Sequence, residues 1–213
     1  MALSKAKVRR IFERLQAADP EPRTELHYTT PFELLVAVIL SAQATDVGVN
    51  KATARLFPVA NTPQAILDLG EEGLKRFIAT IGLYNSKAHN IVRMCAMLLA
   101  QHGGEVPHDR QALERLPGVG RKTANVVLNV VFGDATIAVD THIFRIANRI
   151  GLAPGKTPLA VEQGLMRVIP KPFLRHAHHW LVLHGRYVCT ARKPKCPVCP
   201  IADLCQWPEK VSA

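Results

Sequence analysis

Helical periodicity along almost the whole chain is the feature that most restricts its fold. Apolar residues recur every three or four positions, and glycines or prolines such as Gly82, Pro117, Gly133 and Gly151 fall between these segments, where turns favour them. No segment shows the alternating pattern of a strand. The sequence therefore predicts an all-α fold. The predicted helices span about residues 5–18, 47–56, 63–69, 71–79, 84–101, 109–115, 121–132, 141–150, 158–168 and 173–186, with another beginning at Pro31 behind the capping pattern T-x-x-E.

Charge and hydropathy narrow the classes of partner. The chain has 213 residues, 27 of them Lys or Arg and 17 Asp or Glu, which gives a formal net charge of +10. Such an excess favours a polyanionic partner, for example nucleic acid. The apolar run at residues 34–40 is far shorter than the ~20 residues that cross a bilayer, and the basic N-terminal segment has no apolar signal core. We therefore expect a cytoplasmic protein with no membrane partner.

A short turn containing two glycines precedes the helix predicted at residues 121–132. The sequence LPGVG at residues 116–120 must turn tightly, and Gly118 and Gly120 place no side chain in the way of an approaching oxyanion. Together with the N-terminus of the next helix, the turn indicates an anion site. An ordinary corner between two helices explains the same residues equally well.

Lys122 stands at the start of that helix, where the helix dipole already favours anions. The predicted buried stripe has helical spacing and comprises Ala124, Val127, Leu128 and Val131. At about 100° per residue, Lys122 lies nearly opposite this stripe, on the side of Asn125 and Asn129, and faces the hairpin amides. An isolated surface lysine would show the same pattern.

Asp140 precedes the helix predicted at residues 141–150 and has two interpretations. As an N-cap it would stabilise that helix by about 1 kcal/mol. As a partner of Lys122 it could accept a proton from the amine, which is nucleophilic only when neutral. Arg121 and the helix N-terminus disfavour the charged amine, whereas a nearby Asp140 favours it, and the sequence does not decide between these opposing effects.

Four cysteines crowd the C-terminal part of the chain in the pattern C-x6-C-x2-C-x5-C: Cys189, Cys196, Cys199 and Cys205. This clustering predicts a metal site in a reducing compartment, and spacing alone fits either zinc or an iron–sulfur cluster. Cys95 lies apart in an apolar stretch and is interpreted as a small buried hydrophobe. The histidines of HAHHW lack an accompanying carboxylate motif, so a second metal site there is given little weight.

The motifs LSAQATD, LPGVGRKTA and VDTH, followed by the cysteine pattern, together resemble the endonuclease III family of helix-hairpin-helix DNA glycosylases and abasic-site lyases. The resemblance covers essentially the whole chain, in order. It implies two helical lobes: a six-helix barrel with the helix-hairpin-helix motif at residues 23–134, and a lobe formed by residues 1–22 and 135–213 that carries the cluster loop. It also implies a 4Fe–4S cluster as cofactor, held by the four cysteines, and a monomer that acts on duplex DNA containing damaged pyrimidines or abasic sites.

The same resemblance implies a chemical role for the two central residues. Lys122 would attack C1′ of the damaged nucleotide, expel an oxidised or ring-saturated pyrimidine and form a Schiff base, after which elimination cuts the strand. Asp140 would activate the amine and stabilise the cationic sugar.

Several other residues are implied to contact DNA. Gln43 and Leu83 match the positions that fill the gap left by the everted nucleotide, although Leu83 could also pack inward between helices and Gln43 could be ordinary surface. The remaining predicted contacts lie in the hairpin, beside Asp140 and in the cysteine loop: Gly118, Gly120, Arg121, His142, Arg192, Lys193 and Lys195. For the last three, a solvated run of charges is the simpler interpretation.

Two alternatives remain from the sequence. A monofunctional adenine mismatch glycosylase shares the fold and the cluster but lacks the nucleophilic lysine. A non-catalytic helix-hairpin-helix module would bind DNA without needing Lys122 or Asp140. The presence of both residues favours the bifunctional enzyme.

Overall fold

Ten α-helices and two short 3-10 helices make up the computed structural model, which describes residues 3–210 and contains no strand in that range. This confirms the predicted all-α fold. No helix in the described range is both long enough and apolar enough to cross a membrane. The α-helices are α1 (Lys5–Ala18), α2 (Pro31–Ser41), α3 (Asp46–Leu56), α4 (Pro63–Ile78), α5 (Tyr84–His102), α6 (Arg110–Arg115), α7 (Arg121–Phe132), α8 (Thr141–Ile150), α9 (Pro158–Val168) and α10 (Leu174–Tyr187); the 3-10 helices are Lys171–Phe173 and Cys196–Val198.

Side-chain caps fix where several helices begin. At α2 the Thr30 hydroxyl accepts a hydrogen bond from the Glu33 amide at 3.1 Å, as the T-x-x-E pattern predicts. The Glu33 carboxylate reaches one residue further back than in a standard capping box and accepts from the amide and the hydroxyl of Thr29. Glu33 is therefore buried with its oxygens hydrogen-bonded.

A glycine breaks α4 in the middle. Gly70 has φ 72° and ψ 168° inside the continuous span Pro63–Ile78, a conformation that an L side chain rarely adopts. The sequence-based division into helices at about residues 63–69 and 71–79 therefore corresponds to a real break in the helix axis.

The chain forms two compact units, and the one from Thr24 to Phe132 contains α2 to α7. Its centre is α2, which is buried on every side from Phe32 to Leu40. A helix that is apolar all round belongs inside a core, and α3, α5 and α7 pack against it.

The other unit combines Met1–Arg23 with Gly133–Ala213. Its core joins α1 to the C-terminal helices: the rings of Phe12 and Phe173 stack with centroids 5.9 Å apart. The indole Nε1 of Trp180 donates to the Asp19 carbonyl at 2.7 Å and so fixes the end of α1. These contacts explain how the N-terminal helix belongs to the same unit as residues far along the chain.

Stability in mild acid should depend on His179 in α10. Burial and the neighbouring His176 lower the pKa of His179 from about 6.5 to about 4, with Asp19 opposing them. The folded chain therefore binds this proton more weakly than the unfolded chain, and stability present above pH 6.5 is lost progressively towards pH 4. Between pH 7 and pH 5, His179→Gln should lose about 1–2 kcal/mol less unfolding free energy than wild type. Urea unfolding of the cluster-loaded protein at both values measures this, with the exposed His27→Gln as control; an unchanged pH dependence in His179→Gln would contradict it.

Candidate active site and metal centre

The helix-hairpin-helix turn consists of residues 116–120 between α6 and α7. Leu116 and Val119 are buried and anchor it, and the Val119 amide donates to the Leu116 carbonyl at 3.0 Å. Gly118 has φ 80°, and a Cβ there would lie 3.1 Å from Cβ of Asn90 in α5, so the position requires glycine. Gly120 is exposed with open space beside it, which leaves its backbone accessible to a ligand.

Lys122 and Arg121 are both exposed in the first turn of α7. Asn125 and Asn129 were predicted to share the open side of α7 with Lys122. That prediction was wrong, because both are buried, with 1% and 5% of their surface exposed. After the first turn of α7, burial therefore extends past the apolar stripe to the polar side of the helix. Lys122 is left beside the hairpin as an accessible amine rather than as one member of an open polar face.

Asp140 caps α8. Its Oδ1 accepts a hydrogen bond from the Ile143 amide at 2.8 Å, which confirms the capping interpretation. The side chain is half-buried. Capping therefore fixes the orientation of the Asp140 carboxylate at the start of α8.

His142 follows within the first turn of α8 and lies against α10. A Cβ on Gly185 would come within 2.9 Å of Cβ of His142, so glycine permits this close packing. The His142 Nδ1 lies 3.3 Å from a guanidinium nitrogen of Arg145. His142 is therefore held in place and half-buried.

Gln43 and Leu83 occupy two neighbouring turns, and they are the only non-glycine residues with positive φ within residues 3–210, at 54° and 62°. Leu83 is 57% exposed, so the inward-packing interpretation of this residue is wrong. A Cβ built on Gly82 would lie 3.4 Å from the Gln43 carbonyl oxygen, which brings the two turns into contact. Strained backbone of this kind persists where surrounding structure enforces it, and it clusters at functional sites.

The four clustered cysteines line one cavity of about 350 Å³, a volume that includes its opening to solvent. Donors surround the sulfurs: the Trp207 amide lies 3.5 Å from Cys205 Sγ, and an Arg149 guanidinium nitrogen lies 3.8 Å from Cys189 Sγ. Burial raises the pKa of the Cys199 and Cys205 thiols. Ligation must overcome that cost, because the metal binds thiolates.

Four thiols can ligate either a zinc ion or a four-iron cluster, and the two groups place the sulfurs differently. Zinc draws its thiolates to about 2.3 Å from one centre, whereas a four-iron cluster spreads four cysteines over its corners.

Comparison with known proteins agrees with this geometry. Residues 36–171 match the family model described as HhH-GPD superfamily base excision DNA repair protein, and residues 189–205 match the iron-sulfur binding domain of endonuclease III. The chain belongs to the HhH-GPD superfamily.

Full-length relatives in the superfamily are similar over the whole chain. Endonuclease III of Escherichia coli (strain K12) is 64% identical over 209 residues, which are 98% of this chain and 99% of that protein. Endonuclease III of Haemophilus influenzae is 63% identical with the same coverage. A solved structure of a trapped endonuclease III–DNA covalent intermediate matches with a TM-score of 0.90 and 47% identity, covering 96% of each chain.

This HhH-GPD chain is therefore a base excision repair enzyme, a DNA glycosylase with abasic-site lyase activity, and its cofactor is a 4Fe–4S cluster. Its partner is DNA.

Within each unit the structure gathers part of the predicted set of site residues. Gly118 lies against α5, which begins next to Leu83, and the Gln43 turn touches Gly82. In the other unit, α8 carries Asp140 and His142 and also contacts the cysteine loop. Arg192, Lys193 and Lys195 are exposed on that loop.

Sequence reasoning missed three supporting residues. Arg145 and Arg149 donate to backbone carbonyls around Cys189, and their spacing of one helical turn after VDTH was the available signal. Lys87 is 5% exposed, and its place on the apolar stripe of α5 marked it as unusual.

Replacing one cluster cysteine should abolish iron binding, because the four thiols share one cavity. Cys199→Ser, purified without oxygen, should have iron content near background and no visible charge-transfer absorption. Cys95→Ala is the matched control, since Cys95 is buried in the other unit, and it should keep a full complement of iron. Stoichiometric zinc with no iron in wild type would contradict the cluster assignment.

Proposed function

We propose that the enzyme removes oxidised or ring-saturated pyrimidines from duplex DNA and cuts the strand through a Schiff base on Lys122. The observation that carries this proposal is the exposed Lys122 in the first turn of α7, two residues after the exposed Gly120. Helix N-termini and glycine turns favour phosphate, so a lysine there has DNA within reach. The trapped covalent intermediate described for an endonuclease III supports a covalent route.

The proposed reaction begins with attack of the neutral Lys122 amine on C1′ of the damaged nucleotide. The C1′–N bond to the base breaks, and the base leaves with the bonding electron pair and takes up a proton. The C1′–O4′ bond then breaks, the ring oxygen takes up a proton, and the nitrogen lone pair forms an iminium between Nζ and C1′. Loss of a proton from C2′ then expels the 3′ phosphate, and water releases the lysine by hydrolysis.

Asp140 is proposed to take the proton released from the amine and to stabilise positive charge on the sugar. Its N-cap hydrogen bond to Ile143 supports this role, because a fixed carboxylate requires little reorganisation during the reaction. His142 is proposed to contact the DNA next to it, held by Arg145 and by its packing on Gly185.

The remaining proposed contacts divide by chemistry. Gly118, Gly120 and Arg121 would bind phosphates at the hairpin, where the backbone is accessible at Gly120. Gln43 and Leu83 would fill the space that an everted nucleotide leaves, for which an exposed apolar side chain on a rigid turn is suited.

The cysteine loop is proposed to contact the phosphate backbone through three exposed cations: Arg192, Lys193 and Lys195. The cluster, when bound, cross-links this loop and gives it a fixed shape. The proposed setting is the cytoplasm, where thiols stay reduced, and the proposed active form is a monomer.

Trapping with borohydride tests the nucleophile. Wild type incubated with duplex DNA containing one abasic site should give a covalent complex on reduction, because borohydride converts the imine to a stable amine. Lys122→Ala should give none, and Asp140→Asn should keep its fold but trap at least about tenfold more slowly.

Arg121→Ala serves as the matched control, since it removes an adjacent exposed cation without removing the amine. It should bind more weakly yet still form the complex at saturating protein. Tight binding of wild type without any covalent complex would overturn the lyase mechanism and favour a monofunctional glycosylase or a non-catalytic DNA-binding module.

Salt dependence tests the contribution of the cysteine loop. The variant with Arg192, Lys193 and Lys195 all changed to Ala should bind damaged and undamaged duplexes more weakly by similar factors. The slope of log K against log salt should fall by about two to three, one for each lost phosphate contact. Lys5, Lys7 and Arg10, exposed on α1, changed together to Ala provide a control with the same charge change. An equal fall in slope for both variants would show an effect of net charge alone.

A further inference from the structure

Lys87 is a buried cation next to the two strained turns. It lies in the first turn of α5 and is 5% exposed. Buried lysines are rare unless they are paired or solvated by polar groups. Lys87 has no role in the reaction as proposed above.

Its ammonium binds the end of α2. The Lys87 Nζ donates to the Leu40 carbonyl at 2.8 Å and to the Ala42 carbonyl at 2.6 Å. Carbonyls at a helix C-terminus lack intrahelical partners and carry the negative end of the helix dipole, so a cation is the favourable partner there. The second of these carbonyls immediately precedes Gln43.

The backbone of the same residue fixes the other turn. The Lys87 amide donates to the Leu83 carbonyl at 3.0 Å, and the Ser86 hydroxyl donates to the same oxygen at 3.0 Å. Leu83 starts α5 with φ 62° and has no side-chain cap. Lys87 thus hydrogen-bonds to both turns, to one through its side chain and to the other through its main chain.

The two turns to which Lys87 hydrogen-bonds also touch each other. The Gln43 carbonyl lies against Gly82, and the exposed Gln43 and Leu83 side chains both stand on positive-φ residues, a conformation that L-residues rarely adopt. Without a partner for the α2 carbonyls, the Gln43 turn is free to relax away from that strained form.

We propose that Lys87 is a positioning residue for nucleotide eversion: its ammonium holds the end of α2 so that the Gln43 and Leu83 side chains project together. This inference rests on the proposed DNA contacts of those two residues. Lys87 does not touch the DNA in this role and acts only through the geometry of the two turns.

Two substrates separate positioning from general activity. One is a duplex containing dihydrouracil, whose excision requires the base to leave the stack; the other is a single strand containing an abasic site, which has no base pair to open. Lys87→Met, which removes the ammonium but keeps an unbranched side chain of similar length, should lower the single-turnover excision rate on the duplex by about tenfold or more. Its cleavage of the single strand should stay within about twofold of wild type.

A control variant and a double variant test whether the effect of Lys87→Met is specific. Lys75→Met removes a surface lysine that pairs with Glu71 and Glu72 in the same unit, and it should leave both rates within about twofold. Lys87→Met should have little further effect in a Leu83→Ala background, because residues that act as a unit are non-additive. If Lys87→Met does not fold, Lys87→Gln replaces it in both measurements.

The outcomes distinguish the positioning role of Lys87 from the proposed DNA contacts of Gln43 and Leu83. Equal loss on both substrates, additivity with Leu83→Ala, or an unchanged duplex rate would overturn the positioning role. If Gln43→Ala and Leu83→Ala also leave duplex excision unchanged, the proposed DNA contacts fail with it. If those two variants slow excision while Lys87→Met does not, the contacts stand and only the Lys87 proposal is overturned.

Discussion

Two arginines one turn apart on α8 hold the loop that begins at the first cluster cysteine. Arg145 donates to the carbonyls of Gly185 and Cys189, and Arg149 donates to those of Thr190 and Ala191. The Arg149 guanidinium also lies 4.2 Å from the Trp207 ring centroid. Because Asp140 caps the start of the same helix, one rigid element orients both the carboxylate and the cofactor loop. The chemistry proposed for Asp140 therefore depends on the same helix that holds the cofactor loop.

The other unit is built around a different constraint, the complete burial of α2. A helix without an exposed face leaves only its ends available for function, and the Gln43 turn follows its C-terminal end. The hairpin glycine Gly118 lies near α2 and α5, with Ile39 and Asn90 beneath it. The packed core therefore supports both the hairpin turn at residues 116–120 and the turns that carry Gln43 and Leu83.

Much of this architecture can be predicted from the sequence, because helix formation, capping and the cysteine pattern depend on residues close together in the chain. Helix positions follow from apolar spacing and from Thr or Asp caps, as at Thr30 and Asp140, and the cysteine cluster from its spacing alone. Cofactor type did not follow from spacing, since zinc and iron–sulfur ligation use the same residues. The similarity of residues 189–205 to the iron-sulfur binding domain of endonuclease III makes that distinction.

The features that the sequence did not predict depend on contacts between residues that are far apart in the chain. Asn125 and Asn129 are polar residues on the side of α7 that was expected to be open, yet both are buried. The positive φ of Gln43 and Leu83 violates local preference and is enforced by surrounding contacts. Lys87 sits in an apolar stripe, and only the fold shows that two carbonyls from α2 receive its ammonium.

The proposed reaction requires the Lys122 amine to become bonded to C1′ of the damaged nucleotide. Tandem mass spectrometry on peptides from the borohydride-reduced complex locates that bond directly. We expect the sugar remnant on Nζ of Lys122, in a peptide from the start of α7. A remnant on any other amine, such as Lys193 of the cysteine loop or the N-terminus, would contradict it.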